Sequence, residues 1–155
     1  KAIDIPLIAA GGIATGSAMA AMFCLGADGV QVGSRFVATH ESSAHQNFKV
    51  RVINTPEGDT QLTLKELTPV RLIKNDFYAQ VEAAYQAGAS KEKLNELLGR
   101  GRAKKGMFEG DLIEGELEIG QVSGLIKEIV PAAQVVEEIV KEFNEVLGKS
   151  LNWNL

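Results

Sequence analysis

The sequence is short of cysteine, of basic residues and of long apolar runs, and each shortage excludes a class of protein. The single cysteine, Cys24, rules out an internal disulfide framework and is typical of a reducing cytoplasm. No apolar run approaches the ~20 residues that cross a bilayer, so no membrane span is predicted. The 16 Lys and Arg are outnumbered by 20 Asp and Glu. The resulting net charge of -4 argues against general nucleic-acid binding, which needs a basic face.

The composition that remains is that of a globular chain with a buried core. Its 155 residues fit one domain, and 45% of them are hydrophobic while 23% are charged. The chain opens on Lys1 rather than on methionine, and it opens without the pattern of a secretory signal. Because residues 1–6 lead directly into an apolar run, we expect a cytoplasmic chain that starts within a domain.

Two apolar runs near the start predict parallel strands. They cover residues 5–10 and 29–32. Both are short and uninterrupted, which is typical of strands buried on both faces. Each run ends in glycine, the first at Gly11 and Gly12 and the second at Gly33.

The segment between the two runs predicts a helix, which completes a βαβ unit. Residues 17–25 are rich in Ala and Met, both good helix formers. Ser17 is the candidate N-cap, and Gly26 is the candidate C-cap. We expect Cys24 to be a core residue of this helix rather than a nucleophile, because no base accompanies it.

The remainder of the chain is predicted to be mainly helical. The last predicted helix carries apolar residues at helical spacing, which indicates a face that packs on the core. The predicted elements are a helix over 42–54 capped by Ser42 or Ser43, a turn over 55–59, a strand over 60–64, and helices over 77–86, 91–98, 120–129 and 131–147.

The two glycine turns suggest a phosphate site. A turn without Cβ atoms lets backbone N–H groups approach an anion closely, and a following helix adds its positive N-terminus. Parallel strands bring both turns to one sheet edge, where ligands of α/β folds bind. Sixteen glycines make some pairs inevitable, so plain tight turns are the alternative.

Two stretches resemble the nitronate monooxygenase family of flavoproteins, which includes the FMN-dependent enoyl-acyl-carrier-protein reductase II. They are IPLIAAGGIATGSAMAAMFCLGADGVQVGSRFVATHESSAHQNFK and EGDLIEGELEIGQVSGLIKEI. The resemblance implies an α/β fold, the C-terminal part of a TIM (β/α)8 barrel with its last strands, followed by a mostly helical C-terminal region. It divides the chain into the barrel end with its following helix (1–54), an inserted smaller helical region (55–118) and C-terminal helices that pack back on the barrel (119–155).

The same resemblance implies which residues hold the cofactor. Gly11 and Gly12 would form one half of a cradle for the FMN phosphate, and Gly33 and Ser34 would form the other. Two neighbours of these turns would approach the flavin, Ala10 and Gln31. The resemblance implies no catalytic acid or base and no metal ligand within this chain.

The function implied is that of an FMN-dependent oxidoreductase. The first expectation is an NAD(P)H-dependent enoyl-acyl-carrier-protein reductase II of fatty-acid synthesis. The alternative is a nitronate monooxygenase that oxidises nitronates with O₂, and a further alternative is a non-catalytic fragment or phosphate-binding paralogue. The substrate would be a small molecule or carried on acyl carrier protein, and a homodimer is possible.

Three other features have structural interpretations. His40 and His45 are five residues apart, which does not suit a metal pair on one helix, so we expect His45 to pack beside the following helix. The basic stretch GRGRAKKG at 99–106 predicts a solvated loop, with docking of acyl carrier protein or NAD(P)H phosphates as the alternative. An acidic run is expected to be solvated rather than to bind metal; its members are Glu109, Asp111, Glu114, Glu116 and Glu118.

The two predicted strands also have a consequence for association. Strands buried on both faces would leave apolar surface and unpaired edges if they stood alone. We therefore expect them to be covered by the rest of a barrel or by a second copy of the chain.

Overall fold

The computed structural model describes residues 4–150, with only the backbone of Ser150. The described part is α/β. In chain order it contains β1 (Ile8–Ala10), α1 (Gly16–Cys24), β2 (Gly29–Gln31), α2 (Ser34–Val37), α3 (Gln46–Ile53), β3 (Thr60–Thr63), β4 (Val70–Ile73), α4 (Asp76–Gln86), α5 (Lys91–Leu98), a π-helical turn (Lys104–Phe108), a 3-10 turn (Gln121–Leu125) and α6 (Ala132–Ser150).

The predicted βαβ unit is present. Strands β1 and β2 pair in parallel, with Ile8 opposite Gly29 and Ala10 opposite Gln31, and α1 connects them. The helix begins one residue earlier than predicted, because Thr15 rather than Ser17 is its N-cap: the Thr15 hydroxyl accepts from the Ala18 N–H at 3.1 Å.

In the described part of the chain, β1 and β2 are partly exposed, which is the state expected for these strands without the rest of a barrel or a second copy. Ile8 is 53% exposed, and Leu7 before it is 47% exposed. Within residues 4–150, no further strand pairs with either edge of this two-stranded sheet. Cys24 is likewise exposed and not a core residue, because it lies in the last turn of α1, beyond the buried Gly16 and Ala20.

A second sheet is the antiparallel hairpin of β3 and β4, in the middle of the chain. Its register runs from Thr60 opposite Ile73 to Thr63 opposite Val70. Only β3 was predicted, since β4 is a four-residue segment that becomes a strand through pairing with β3. Helix α4 packs against the hairpin through Phe77, which is fully buried.

Helix α3 begins at Gln46, later than the prediction of 42. Its N-cap is His45, whose Nδ1 accepts from the Asn47 N–H at 3.1 Å, and neither Ser42 nor Ser43 caps it. Ser42 instead accepts from the Ala44 N–H in the preceding turn. The expected structural role of His45 is confirmed in this form.

The predicted helix over 120–129 is reduced to one 3-10 turn, Gln121–Leu125. Gly120 and Gly124 have low helix propensity, and residue 130 precedes Pro131, which favours extended backbone there. Accordingly Val130 forms a parallel bridge with Thr39. Helices α4, α5 and α6 are confirmed within a few residues.

The hydrophobic core joins segments that are distant in sequence. One cluster combines Phe48 and Val52 of α3 with Ile73 of β4 and with Leu117 and Ile126 of the later chain. It therefore includes residues from all three predicted regions, whose boundaries stay a prediction. None of the helices in the described part is long and apolar enough to span a membrane.

Candidate functional site

The carboxyl ends of β1 and β2 open into a cavity of about 200 Å³. It forms because parallel strands place both glycine turns at the same sheet edge. All six residues predicted from the sequence line it. The full lining is Ala10, Gly11, Gly12, Ile13, Gln31, Gly33, Ser34, Gly120 and Val122.

The first turn needs glycine for its backbone conformation. Gly11 has φ +89° and Gly12 has φ +71°, in the left-handed region that side chains rarely adopt. A Cβ at either position would meet no atom within 4 Å, so the turn faces open space.

The second turn differs from the first, because its backbone does not require glycine. Gly33 has φ −111°, which any residue adopts, so its backbone does not demand glycine. A Cβ there would also meet nothing within 4 Å. Since Gly33 lines the cavity, a side chain at this position would take up space that a ligand could use.

Ser34 sits at the cavity with its hydroxyl oriented by a distant backbone group. Its Oγ accepts from the Gly120 N–H at 3.0 Å, which leaves the hydroxyl hydrogen available for donation to a ligand. A Cβ on Gly120 would lie 2.7 Å from Ser34 Oγ, so this contact requires glycine. Gly120, Ile13 and Val122 were not predicted as site residues; Gly120 belongs to the second stretch that carries the resemblance.

The positive N-terminus of α1, which the sequence predicts as part of the phosphate site, is instead occupied by the carboxylate of Glu142. Gly16, the first residue of α1, donates its N–H to Glu142 Oε2 at 2.7 Å, and the Ser17 hydroxyl donates to Oε1 at 2.5 Å. The hydrogen bond from Ser17, with those from the backbone, lowers the pKa of Glu142. The carboxylate of α6 therefore neutralises the positive end of α1.

The lining of the cavity is chemically suited to a phosphate. Among the described residues that line it, none is charged. Backbone N–H groups of glycine turns and a serine hydroxyl are the donors that phosphate accepts in such sites. The arrangement can hold and orient an anion, and its lining offers no side chain for acid–base chemistry.

The predicted solvated loop is present in the first part of the basic stretch, where Gly99, Arg100 and Gly101 are exposed and outside any helix. The rest of the stretch enters the π-helical turn Lys104–Phe108, and Arg102 is held by the protein: its Nη1 donates to the Glu114 carbonyl at 2.7 Å, and its guanidinium lies 4.4 Å from the Phe77 ring centre. Lys104 pairs with Glu109 at 3.0 Å, and Lys105 pairs with Asp111 at 3.1 Å.

The acidic run is likewise only partly solvated. Glu109, Asp111 and Glu114 pair with the basic stretch, whereas Glu116 is 7% exposed. Burial, and then the charge of Glu118, raise the pKa of Glu116 from 4.5 to about 7. In residues 4–150, no group of three or more His, Cys, Asp or Glu is placed to hold a metal ion.

The buried carboxyl of Glu116 predicts a pH-dependent stability. Its pKa in the folded chain is above the unfolded value, so the stability it contributes is fully present below about pH 4.5 and is lost as the pH rises through 7. Glu116→Gln should therefore raise the free energy of unfolding at pH 8 by about 1–2 kcal/mol and change it little at pH 5. Urea denaturation at the two pH values measures this, with the exposed Glu96→Gln as control. Equal effects of Glu116→Gln at pH 5 and pH 8 would contradict it.

The fold and the cavity define an α/β protein with a glycine-lined pocket at its strand ends, and comparison with known proteins gives the family. The family model described as nitronate monooxygenase matches residues 1–142. A probable nitronate monooxygenase of Staphylococcus saprophyticus is 32% identical over 149 residues, covering 95% of this chain and 41% of that protein. The chain belongs to the nitronate monooxygenase family, as the sequence predicted.

Solved structures agree with this assignment. FabK from Thermotoga maritima is similar with a TM-score of 0.86 and 40% identity, over 95% of this chain and 47% of FabK. The nitroalkane oxidase from Streptomyces ansochromogenes is similar with a TM-score of 0.73 and 32% identity, over 96% of this chain and 42% of that one. The chain thus spans less than half the length of these relatives.

Proposed function

We propose that the chain is the phosphate-binding part of an FMN-dependent oxidoreductase, and that it forms the C-terminal part of a (β/α)8 barrel. The single observation that carries this is the glycine-lined, uncharged cavity at the ends of two parallel strands, in a chain of this family. The exposed Ile8 and the unpaired edges of β1 and β2 in the described part favour burial by further barrel strands.

Within this proposal, each cavity residue has a role toward FMN. Gly11, Gly12 and Gly33 allow close approach of the phosphate, and the Ser34 hydroxyl donates to it. When bound, the flavin supplies the hydride chemistry, and this chain binds and orients the cofactor. Ala10 and Gln31 stand beside the turns on the side that the flavin would approach.

The reaction favoured is reduction of an enoyl thioester by NAD(P)H, as in the reductase branch of the family. The higher identity to FabK, 40% against 32% for the nitroalkane oxidase, supports this choice. Oxidation of nitronates with O₂ is the second candidate, favoured by the family model and by the curated relatives. A phosphate-binding paralogue without activity is the third.

Purification of the full-length protein, meaning the gene product that contains this chain, tests the proposal. We expect a yellow protein that oxidises NADH or NADPH when a crotonyl thioester is present. Oxidation of a nitronate with O₂ instead would select the second candidate. A colourless protein that takes up no added FMN would contradict flavin dependence.

We further propose a cytoplasmic enzyme that accepts substrate on acyl carrier protein at the exposed part of the basic stretch. Arg102 and Lys105 are partly buried in ion pairs, whereas the side chains of Arg100 and Lys104 are exposed, so Arg100 and Lys104 are the positions to test. The double change Arg100→Glu with Lys104→Glu should slow reduction of carrier-bound substrate about 3–10-fold at low salt, and less at high salt.

The control for this prediction reverses two exposed lysines of α6, Lys141 and Lys149, so that the net charge changes equally. Steady-state rates with carrier-bound and free thioester are compared. If both double variants slow both substrates alike, the basic stretch does not dock a carrier.

A further inference from the structure

Helix α6 contacts both chain segments that leave the glycine turns. Glu142 accepts from Gly16 and Ser17 at the start of α1, four residues after Gly12. One helical turn earlier on the same face, Glu138 lies 3.5 Å from the guanidinium of Arg35, the residue after Ser34 in α2. Two carboxylates of one helix face therefore contact the segments that follow the two halves of the candidate phosphate site.

The contact between α1 and α6 is a close backbone approach. A Cβ on Gly16 would overlap the Ile139 carbonyl and the Phe143 amide of α6. The rings of Phe23 and Phe143 meet edge to face with their centres 5.4 Å apart. Because backbone atoms are in contact, α1 can shift relative to α6 only by a concerted movement.

The contact between α2 and α6 is buried on the α2 side. The side chain of Arg35 is only 10% exposed, whereas that of Glu138 is 48% exposed. Around this pair, Val135 and Ile139 of α6 form a core cluster with Val130, against which Val32 and Phe36 pack. The segment after the second glycine turn is therefore anchored on α6 by both charge and packing.

We propose that α6 is the positioning element of the phosphate site. Glu142 fixes the turn at Gly11 and Gly12. Glu138, acting through Arg35, fixes the turn at Gly33 and Ser34. The inference rests on the proposed function. A site that binds an anion through backbone groups depends on their spacing, since a displaced N–H does not reach the ligand. Glu142 has a second effect. Because its carboxylate occupies the positive N-terminus of α1, an anion binds at the glycine turns rather than at that helix end.

The test distinguishes binding of the FMN phosphate from binding of the flavin ring. Dissociation constants for FMN and for riboflavin, which has no phosphate, are measured on the full-length protein by quenching of flavin fluorescence. Glu142→Ala should weaken FMN binding about tenfold, equivalent to about 1.4 kcal/mol, and change riboflavin binding less than about twofold. Glu142→Gln keeps one acceptor for the Gly16 N–H and should recover part of the loss.

Two further variants complete the design. Glu138→Gln should show the same selective loss at the other turn, and it serves where Glu142→Ala does not fold. Glu145→Ala removes an equal charge from an exposed position of α6 and should change neither constant. Circular dichroism accompanies each variant.

The outcomes distinguish the inference from the function on which it rests. If the wild-type protein binds FMN no more tightly than riboflavin, the phosphate site itself is wrong. If it prefers FMN, and neither Glu142 nor Glu138 variants lose that preference, the positioning role of α6 is overturned. Equal weakening of both flavins would also overturn it, because that is the signature of general destabilisation.

Discussion

Gly33→Val is expected to remove bound FMN from the full-length protein while leaving its fold intact. The backbone at Gly33, with φ −111°, lies outside the left-handed region that favours glycine, and a Cβ there meets no protein atom within 4 Å. The new side chain would therefore occupy space beside the cavity that Gly33 lines. We expect FMN affinity to fall at least ~100-fold, equivalent to about 2.7 kcal/mol. The ratio of flavin to protein absorbance after purification measures the loss.

A matched pair of glycines controls for backbone strain at the other turn. Gly12 and Gly88 have φ +71° and +67°, and neither has an atom within 4 Å of its Cβ position. Gly12→Ala and Gly88→Ala should destabilise the fold by a similar ~1 kcal/mol. FMN content should fall only in Gly12→Ala, because Gly88 follows α4 and is not part of the cavity. If Gly33→Val and Gly12→Ala both retain stoichiometric FMN, the cavity does not hold the FMN phosphate.

Gly16→Ala is expected to lower the stability of the fold, which is opposite to the usual effect of replacing a helical glycine by alanine. Replacing glycine by alanine inside a helix ordinarily stabilises a protein by up to ~1 kcal/mol. Gly16→Ala should instead destabilise by about 3 kcal/mol, because the added Cβ would overlap the backbone of α6, which cannot rotate away. Urea denaturation followed by circular dichroism measures the change in the free energy of unfolding.

Gly148, also helical, is the control for Gly16. Its Cβ position meets nothing within 4 Å, so Gly148→Ala should leave stability equal or slightly higher. A Gly16→Ala variant as stable as Gly148→Ala would show that α1 and α6 are not in backbone contact.

Local patterns in the sequence were sufficient for β1, β2 and β3 and for three of the cavity residues, Gly11, Gly12 and Gly33. Each glycine turn directly follows its apolar run in the sequence. Gly12 and Gly33 could therefore be predicted without tertiary information. Helices α4 and α5 were predictable for the same reason, since Asn75 and Ser90 cap them locally.

The contacts that complete the site could not be predicted, because they join residues far apart in sequence. Ser34 meets Gly120 across 86 positions, and Gly16 meets Glu142 across 126. No local signal distinguishes Glu142 from the other glutamates of α6. The basic and acidic stretches stay partly solvated, as predicted, and the structure adds ion pairs between them, Lys104 with Glu109 and Lys105 with Asp111.

The central claim is that the two glycine turns hold the phosphate of FMN. A crystal structure of the full-length protein with FMN tests it most directly. We expect phosphate oxygens within hydrogen-bond distance, ~3 Å, of the backbone N–H of Gly12 and of the Ser34 hydroxyl. A phosphate bound elsewhere, with the cavity at Gly12 and Gly33 filled by solvent, would contradict it.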